Sequence, residues 1–525
     1  MTNGYKLLGL MMATALWLPA AGVLVPERAT AQTKQTAITP QTFPGRLDQN
    51  SPVLSSDGSY YHDHTFEGEA GQIVLINLES SEFDAYLLLL GVDGAVLAQN
   101  DDFVGTNSQV LIALPTTGTY TIRVTSYASG EIGSYTLGVR SASAAEIVTA
   151  ETRLAVAERL AEADRIFQQG AQQFQANQFE AALQSWQQAL ELCRDPAVQA
   201  AFPQESRQRE GGLLNILGSI SADLAQYEQA IDFYTQALVV NRAIGDRQTE
   251  GNVLIGLGNA YRTLAQYGQA IDFYQQALQL ARATGNRQRE GEALGSLGVA
   301  HKLLGQDEQA IGFYEQALAI FRETGDRRQE GITLNDLGTL AQPEQAIDFY
   351  QEALQLAREI GDQLVESNAL SGLGNAYLSL GQHARAVDFY EQNLAMAREI
   401  GDRQGEGIAL GNLGVAYRNL GQYQQALEGY QQALAMAQAI GARDNEGVWL
   451  SNIGALIAQQ DQPELAIIFY KQSVNVREAI RGDLASLSPD LQQSYTETIA
   501  DDYRALADLL LQQNRILEAQ RVLDL

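Results

Sequence analysis

The stretch that decides the fold is residues 251–290, GNVLIGLGNAYRTLAQYGQAIDFYQQALQLARATGNRQRE, because variants of it return along most of the C-terminal two-thirds of the chain. A small anchor residue, usually preceded by leucine, marks each copy. The anchors are Gly170, Gly218, Gly258, Gly298, Gly338, Gly374, Gly414, Gly454 and Ala507. Their spacings are 48, 40, 40, 40, 36, 40, 40 and 53 residues, and a fixed period of this size is typical of repeat proteins. The sequence therefore predicts about nine repeats.

Each copy carries the apolar spacing of two helices. Leu254, Leu257 and Tyr261 recur at helical spacing, and Ala270 and Tyr274 belong to a second stripe of the same period. Glycines suited to helix ends follow most stripes, and an aspartate suited to cap the next helix often comes after the second glycine. We expect the small anchors to let paired helices approach closely, with Tyr274 filling the space between neighbours. One hairpin cannot bury its own stripe, whereas stacked hairpins can, so the pattern predicts a mainly α protein built as an α-solenoid.

These repeats have a known counterpart. The strings LGNAYRTLAQYGQAIDFYQQAL from Leu257, LGNAYLSLGQHARAVDFYEQNL from Leu373 and LGVAYRNLGQYQQALEGYQQAL from Leu413 resemble the tetratricopeptide repeat (TPR). The match is to its 40-residue variety, seen in kinesin light chains and in the Leu-Gly-Asn spindle-orientation proteins. The resemblance covers residues 159–525. It implies a TPR solenoid whose first helices line a concave groove that binds partners.

Polar residues recur on one face of the first helices, away from the apolar stripe. They stand two before or one after the anchor, positions that are three apart and so lie on one helical face. The predicted peptide-binding residues are Asn259, Ser296, Asp336, Asn375, Asn412 and Asn452. Asparagine offers both a donor and an acceptor, so it can hold a peptide backbone without reading side chains closely. The alternative is a row of small polar residues on a solvated face.

Three cations stand one helical turn further along the first helices, at Arg262, Lys302 and Arg418. They could anchor carboxylates of a bound partner, because charge-assisted hydrogen bonds are strong. Equally, they could only offset the surrounding acidic residues. The sequence does not choose between these two roles.

The repeat register is interrupted in three places. After the first copy, eight additional residues containing Asp195-Pro196 and Pro203 predict an inserted loop. The fifth copy lacks four residues before Ala346, about one helical turn, so its first helix or the turn after it should be shorter. The last spacing is thirteen residues too long, through the segment RGDLASLSPD from Arg481.

The first 31 residues have the pattern of a secretory signal peptide. One lysine precedes an apolar run from Leu7 to Val25, and Ala29-Thr30-Ala31 supplies small residues before a cleavage point at Gln32. This predicts export to the periplasm, the cell surface or the exterior, without stable membrane insertion after cleavage. An uncleaved anchor is the alternative, because the run is close to the lower limit for a spanning helix. Residues 32–43 are expected to form a polar linker.

Residues 44–141 have a different pattern, of short apolar or alternating runs separated by Gly, Asn, Asp and Ser, which predicts an antiparallel β-sandwich. The runs are IVLINL from Ile73, AYLLLLG from Ala85, QVLIAL from Gln109, YTIRVTS from Tyr120 and YTLGV from Tyr135. The stretches FDAYLLLLGVDGAVLAQNDD from Phe83, LPTTGTYTIRVTS from Leu114 and GSYTLGV from Gly133 resemble the bacterial pre-peptidase C-terminal (PPC) domain, a sandwich that accompanies secreted proteins. Residues 142–158, rich in Ala, Ser and Thr, are expected to link this domain to the solenoid.

Two groups in the sandwich are candidate metal sites. Asp84, Asp101 and Asp102 could bind Ca²⁺ through oxygen ligands, but no ligand loop of fixed spacing is evident. We favour a turn after a strand. His62 and His64 share one strand face and would need a third ligand, so we expect ordinary exposed positions. The sequence predicts no metal site.

Composition further limits the classes of partner and of functional site that the protein could have. A net charge of −29 makes nucleic acids and anionic membranes poor partners. The single cysteine, Cys193, excludes an intramolecular disulfide framework; we interpret it as a plain helical residue, with a reactive thiol as the alternative. The sequence contains no Ser-His-Asp set, phosphate loop or zinc pattern. It therefore predicts a protein that is not an enzyme and holds no cofactor, and it leaves the oligomeric state open.

The C-terminal segment bears on function. The residues from Ser494 to Leu525 predict one more hairpin and resemble the region that precedes a caspase-like CHAT protease domain in bacterial repeat proteins. The His and Cys pair of that domain has no counterpart here. The leading hypothesis is an exported scaffold that binds peptide segments or partner proteins in a TPR groove. One alternative is the regulatory arm of a CHAT-type protease, and another is a cell-surface binder acting through the β-sandwich.

Overall fold

The computed structural model describes residues 37–56, 58–100, 107–484 and 489–524. The predicted signal peptide and the calcium candidates Asp101 and Asp102 lie outside these residues. The chain divides into two compact units, Met1–Glu250 and Gly251–Leu525. In the described parts of both units, no helix is both long enough and apolar enough to cross a membrane.

Eight strands in the first unit form two antiparallel four-stranded sheets, which confirms the predicted β-sandwich. One sheet has the strand order β1-β8-β3-β6 and the other β2-β7-β4-β5. Alternate residues point into the core between the sheets, as Ala85, Leu87 and Leu89 do in β4. The strands are β1 (Gln41–Leu47), β2 (Tyr61–Gly68), β3 (Ile73–Glu79), β4 (Ala85–Leu90), β5 (Val96–Asn100), β6 (Ser108–Ala113), β7 (Gly118–Ser126) and β8 (Gly133–Ser141).

Three strands, β1, β2 and β5, are not among the apolar or alternating runs identified in the sequence, and all three lie at sheet edges. β1 begins inside the predicted linker 32–43, where Gln41 pairs with Val139 of β8. Upstream, the Ile38 amide donates to Ser141 Oγ at 2.8 Å. The domain therefore begins before residue 41, and the predicted boundary at residue 44 is corrected. An edge strand is half-exposed and tolerates a proline such as Pro44, so its sequence carries no apolar run.

The predicted linker 142–158 is also corrected, because it is helical from Ala144 onward. Ser143 caps this helix, α1, with a capping box in which Ser143 Oγ accepts from the Glu146 amide and the Glu146 carboxylate accepts from the Ser143 amide. Hydrogen bonds from Arg140 and then from the Ser143 amide lower the pKa of Glu146 to about 2. The start of α1 packs on the outer face of the first sheet, where Leu75 contacts Ile147. Because the first turn of α1 is mostly exposed, its residues show no apolar periodicity from which the helix could be predicted.

We expect the sandwich to fold on its own only with these flanking segments included. A fragment of residues 37–152 should unfold cooperatively, with the circular dichroism of a strand-rich domain. A fragment of residues 44–141 loses the first three pairs of β1 and the helical cover over Leu75. Its melting midpoint should be lower by about 5 °C or more, the shift expected for roughly 1 kcal/mol in a domain of this size. Equal midpoints would show that residues 37–43 and 142–152 add nothing to the domain.

Nineteen helices follow in the described residues. Apart from the short α3, they pair in sequence as nine hairpins, as the repeat count predicts. They are α1 (Ala144–Gln175), α2 (Phe179–Cys193), α3 (Pro196–Ala201), α4 (Pro203–Asp223), α5 (Tyr227–Ile244), α6 (Arg247–Thr263), α7 (Tyr267–Thr284), α8 (Arg287–Leu303), α9 (Asp307–Thr324), α10 (Arg327–Leu340), α11 (Pro343–Ile360), α12 (Gln363–Ser379), α13 (His383–Ile400), α14 (Arg403–Asn419), α15 (Tyr423–Ile440), α16 (Arg443–Ala458), α17 (Pro463–Leu484), α18 (Pro489–Gln512) and α19 (Ile516–Leu523).

The anchor glycines work as predicted, by letting a tyrosine of the second helix pack against the first helix. A Cβ added at Gly298 would lie 2.6 Å from the ring of Tyr314, and one at Gly258 would overlap the ring of Tyr274. Both tyrosines are buried. Real Cβ atoms do not approach so closely, so these positions require glycine. The tyrosine ring therefore takes the space that a first-helix side chain would otherwise occupy.

Two interruptions of the register have structural outcomes. The fifth repeat has a first helix, α10, of 14 residues where most others have 17, which confirms the predicted shortening. The insertion after α2 was predicted as a loop, and the structure corrects this to a short helix, α3. Asp195 caps α3 through the amide of Ala197, and Pro196 occupies its first turn. A proline and a capping aspartate suit a helix start as well as a loop, so the sequence was ambiguous there.

At several junctions a glutamate of the first helix joins it to the preceding second helix, a feature that the sequence reading missed. Glu290 of α8 accepts hydrogen bonds from Arg282 Nε at 2.8 Å and from Arg287 Nη1 at 2.6 Å. Burial would raise the pKa of Glu290, but the two arginines outweigh it and lower the pKa. The same contact with an arginine eight residues earlier is made by Glu330, Glu366 and Glu406. These pairs stabilise the junction between successive hairpins.

Candidate functional site

The six predicted binding residues all lie on first helices that belong to the second unit from Gly251 onward. We call the surface that these six residues share the first-helix face. Asn259 and Asn375 follow their anchor glycine and are exposed. The other four precede their anchor by two residues and are only half-exposed: Ser296, Asp336, Asn412 and Asn452. The sequence treated these two positions as equivalent, whereas the structure distinguishes them.

The two exposed asparagines are held by the tyrosines packed beneath them. The Tyr274 hydroxyl donates to Asn259 Oδ1 at 2.7 Å, and the Tyr390 hydroxyl donates to Asn375 Oδ1 at 2.6 Å. This contact fixes the orientation of each amide and uses one acceptor. The amide N–H groups are then the donors that these residues offer to a peptide carbonyl.

Two other repeats carry valine where Asn259 and Asn375 stand, and there the tyrosine hydroxyl has lost its acceptor. Val299 follows the anchor above Tyr314, and Val415 follows the anchor above Tyr430. Within the described residues, neither hydroxyl has a hydrogen-bond partner, although both side chains are at most 1% exposed. Burial raises the pKa of Tyr430 to about 12 and that of Tyr314 further. Buried polar groups without a partner are uncommon in native proteins and so mark sites of interest.

Asp336 differs from the other members of its position because it is charged and enclosed. Burial raises the pKa of Asp336 to about 6, and the nearby charge of Lys302 acts weakly in the opposite direction. The Asp336 carboxylate has no hydrogen bond or ion pair with any described residue. The Lys302 ammonium instead donates to Thr339 Oγ1 at 2.6 Å. Asp336 is therefore a partly exposed acid whose carboxylate has no direct partner among the described residues.

The structure brings Asp336 together with two tyrosines from neighbouring second helices. Burial first, and then the charge of Asp336, raises the pKa of Tyr314 and raises that of Tyr350 to about 12. The three groups come from α9, α10 and α11, so this proximity could not be read from sequence spacing. The signal that was available is the aspartate itself, which stands where the repeats anchored at Gly258, Gly298, Gly374, Gly414 and Gly454 have Asn, Ser or Gly.

The predicted cations lie near the same tyrosines. The charge of Arg262 opposes the effect of burial on the pKa of both Tyr274 and Tyr314. The charge of Arg418 acts in the same way on Tyr430. Positive charge therefore lies near the tyrosine hydroxyls that are buried beneath the first-helix face. The arrangement can donate hydrogen bonds to peptide carbonyls and, at Asp336, accept them from a donor.

In the first unit, the structure can be compared with the sequence predictions for His62, His64 and Cys193. His62 and His64 are half-buried, and each has a ring nitrogen within 2.9 Å of the Tyr135 hydroxyl, so the expectation of exposed positions is corrected. β2 lies over Tyr135 across the sandwich, which its sequence alone does not reveal. Burial raises the pKa of the Cys193 thiol to about 12, which fits a plain helical residue. In the part of the chain that the structure describes, no group of three or more His, Cys, Asp or Glu could hold a metal ion.

Two family models, both of the tetratricopeptide repeat, match the helical part of the chain. One matches residues 210–283, 340–399 and 405–479, and the other matches residues 293–328. These matches confirm tetratricopeptide repeats, and with the observed helices they show a TPR-like solenoid preceded by the β-sandwich domain. No curated protein matches the chain. The resemblances to the PPC domain and to CHAT proteins stay predictions.

Several solved structures are similar to parts of the chain. The signal transduction ATPase with a tetratricopeptide repeat sensor from Pyrococcus horikoshii is 16% identical, with a TM-score of 0.44, and the match covers 65% of this chain and 51% of that one. BtubC from P. vanneervenii is 19% identical over 50% of this chain and 92% of that chain, with a TM-score of 0.32. The Rap conjugation gene regulator of plasmid pLS20, solved with the Phr* peptide, is 14% identical over 63% and 98%, with a TM-score of 0.41.

Proposed function

We propose that this chain, a β-sandwich followed by a TPR-like solenoid, is an exported scaffold that binds extended peptide segments of partner proteins on its first-helix face. One observation carries the proposal: polar side chains recur on the same face of the first helices, and two of the tyrosine hydroxyls buried beneath them, those of Tyr314 and Tyr430, have no hydrogen-bond partner in the described residues. Repeats that only stack need no such row, because stacking is completed by the apolar stripes. Export is supported by the N-terminal sequence pattern alone.

The electrostatics favour a neutral or basic partner. A net charge of −29 repels acidic segments and speeds encounter with basic ones at low salt. Arg262 and Arg418 place positive charge beside the tyrosines, where they can meet peptide carbonyls. In the binding mode that we propose, contacts to the peptide backbone therefore contribute more to recognition than contacts to the peptide side chains.

The test is a peptide selection on the full chain. A phage-displayed library of random dodecapeptides is selected on immobilised protein, and the selected peptides are synthesised for calorimetry. The double variant Asn412→Ala/Asn452→Ala removes two amides whose side chains have no hydrogen-bond partner among the described residues. We expect its affinity to be lower by about thirtyfold, since each of the two hydrogen bonds to the ligand is worth roughly 1 kcal/mol.

The matched control is Gln431→Ala/Gln432→Ala, which removes two exposed amides from the second helix α15. It should bind as the unmodified chain does, and both double variants should keep its melting midpoint. Selection of no peptide would contradict the proposal. Peptides that bind the Asn412→Ala/Asn452→Ala variant with unchanged affinity would move recognition away from this face, with the β-sandwich fragment 37–152 as the next candidate.

A further inference from the structure

The structure supplies the third metal ligand that His62 and His64 lack in the sequence. We infer that His62 Nδ1, His64 Nε2 and the Tyr135 hydroxyl oxygen bind a divalent transition-metal ion, and that Cu²⁺ fits them best. The site belongs to the β-sandwich, whereas the first-helix face belongs to the second unit. Metal binding here is therefore independent of the proposed peptide binding.

The three donor atoms lie close together in the folded sandwich. His62 Nδ1 is 2.9 Å from the Tyr135 hydroxyl oxygen, and His64 Nε2 is 2.8 Å from the same oxygen. The two histidines stand two residues apart on β2, so their rings project from the same face of that strand toward Tyr135 of β8. Imidazole nitrogens are ligands that suit zinc, copper, iron and nickel. The tyrosine oxygen completes a set of three protein ligands with an open position for solvent.

The two distances favour Cu²⁺ over Zn²⁺. When metal–ligand bonds are about 2.0 Å long, ligand atoms at right angles lie about 2.8 Å apart, and tetrahedral ligand atoms lie about 3.3 Å apart. The observed 2.9 and 2.8 Å match right angles. Square-planar or tetragonal coordination by nitrogen and oxygen is typical of Cu²⁺, which also binds a given site more tightly than Zn²⁺ does. The three side chains therefore need only small shifts to bind Cu²⁺.

Outer contacts hold His62 in the tautomer that a metal needs. Ser51 Oγ accepts from the Asp48 amide at 3.0 Å and donates to Asp48 Oδ1 at 3.5 Å. Because the Ser51 proton is directed at Asp48, His62 Nε2 is the donor in its 3.1 Å contact with Ser51 Oγ. The lone pair of His62 Nδ1 then faces Tyr135. Histidines that bind metals usually donate their other ring nitrogen to an outer group in this way.

The site lies at an edge of the sandwich, where an ion can enter. β1 and β2 are edge strands of the two sheets, and the Phe43 ring of β1 packs against His64 of β2 with the ring centroids 5.0 Å apart. Gly45 of β1 leaves room for the phenol, because a Cβ there would lie 2.3 Å from the Tyr135 hydroxyl oxygen. His62 and His64 are partly exposed, whereas Tyr135 is buried. The ion therefore enters from the side of the histidines.

Binding exchanges a proton for the metal at Tyr135. Burial raises the pKa of the Tyr135 hydroxyl to about 12, so the phenol keeps its proton when no metal is bound. A cation bound to the oxygen favours the ionised form. The Cu–O bond then replaces the O–H bond, and the proton leaves to the solvent. The complex is therefore a copper phenolate, which absorbs visible light through charge transfer from the oxygen to Cu²⁺.

The test is a calorimetric titration of the full chain, without an affinity tag, with Cu²⁺ and with glycine as a weak competing chelator. One tight site per chain is expected. His64→Gln should weaken binding by about a hundredfold or more, since changes to the outer contacts of metal sites alone cost roughly 10–100-fold. The matched control His301→Gln/His383→Gln removes the other two of the four histidines in the sequence and should bind as the unmodified chain does.

Two further variants test the oxygen ligand and the outer contact. Tyr135→Phe should abolish the visible charge-transfer band and weaken Cu²⁺ binding by about tenfold or more. Ser51→Ala should keep the band and weaken binding roughly tenfold. Electron paramagnetic resonance of the Cu²⁺ complex should show two nitrogen ligands in the unmodified chain and one in His64→Gln.

Each variant needs a folding control, because its melting curve without metal should match that of the unmodified chain. If Tyr135→Phe does not fold, since it loses two hydrogen bonds, His64→Gln and the charge-transfer band of the unmodified chain decide the result. Unchanged Cu²⁺ affinity in His64→Gln, or a complex without the band, overturns the site. Lost affinity in His301→Gln/His383→Gln would place the ion on the helices and would also overturn it.

Discussion

Replacing Tyr274 by alanine should lower the free energy of unfolding of the second unit by about 3–5 kcal/mol, the range for removing a large buried aromatic side chain. Tyr274 is 0% exposed and packs against Gly258. Because that neighbour is a glycine, no side chain can move in to fill the space that the ring leaves. The variant also removes the hydrogen bond from the Tyr274 hydroxyl to Asn259 Oδ1.

Urea unfolding of the full chain measures this loss, and hydrogen exchange locates it. Contacts in a solenoid run between neighbours, so protection should fall around α6 to α9 and persist in α14 to α16. A uniform loss of protection across the second unit would contradict this nearest-neighbour picture.

Two matched variants separate the ring from the hydroxyl. Tyr274→Phe keeps the ring and should cost about 1 kcal/mol, the net value of its hydrogen bond. Tyr314→Phe removes a hydroxyl that has no partner among the described residues and should be neutral or slightly stabilising.

Replacing Asp336 by asparagine should raise the free energy of unfolding at pH 7 by roughly 2 kcal/mol. Burial raises the pKa of Asp336 to about 6, above its ordinary value near 4. The folded state therefore holds the proton more tightly than the unfolded state, and the ionised carboxylate destabilises the fold. This difference in pKa corresponds to about 3 kcal/mol, which we reduce because the side chain is partly exposed.

The sign of this effect sets its pH window. A raised folded-state pKa contributes stability that is fully present below pH 4 and is lost as the pH rises through 6. The advantage of Asp336→Asn should therefore be largest at pH 7 and absent at pH 4, in urea unfolding at both values. Asp348→Asn, at an exposed position, should change stability by less than about 0.5 kcal/mol at either pH. A destabilised Asp336→Asn variant would instead mean that the attraction between Asp336 and Lys302 outweighs the burial of the acid.

The sequence by itself determined the repeat architecture, because the same spacing between an anchor glycine and a tyrosine recurs along the chain. Gly258 and Tyr274 stand sixteen residues apart, and the same spacing recurs at Gly298 and Tyr314. Such spacing places a glycine on the first helix opposite a tyrosine on the second, whatever the rest of the chain does. The shortened α10 could be predicted in the same way, from four missing residues. The sandwich was also predictable, since its central strands are short apolar or alternating runs.

Only the tertiary structure decided which members of a repeated position differ in chemistry. Asp336 and Asn412 occupy the same place in their repeats, and the sequence predicted the same role for both. Whether a carboxylate there is solvated or buried depends on Lys302, Tyr314 and Tyr350, which come from three other helices. The edge strand β1 and the start of α1 were missed for the same reason. Pairing with β8 and contact with Leu75 stabilise them, and such long-range contacts leave no local pattern in the residues that make them.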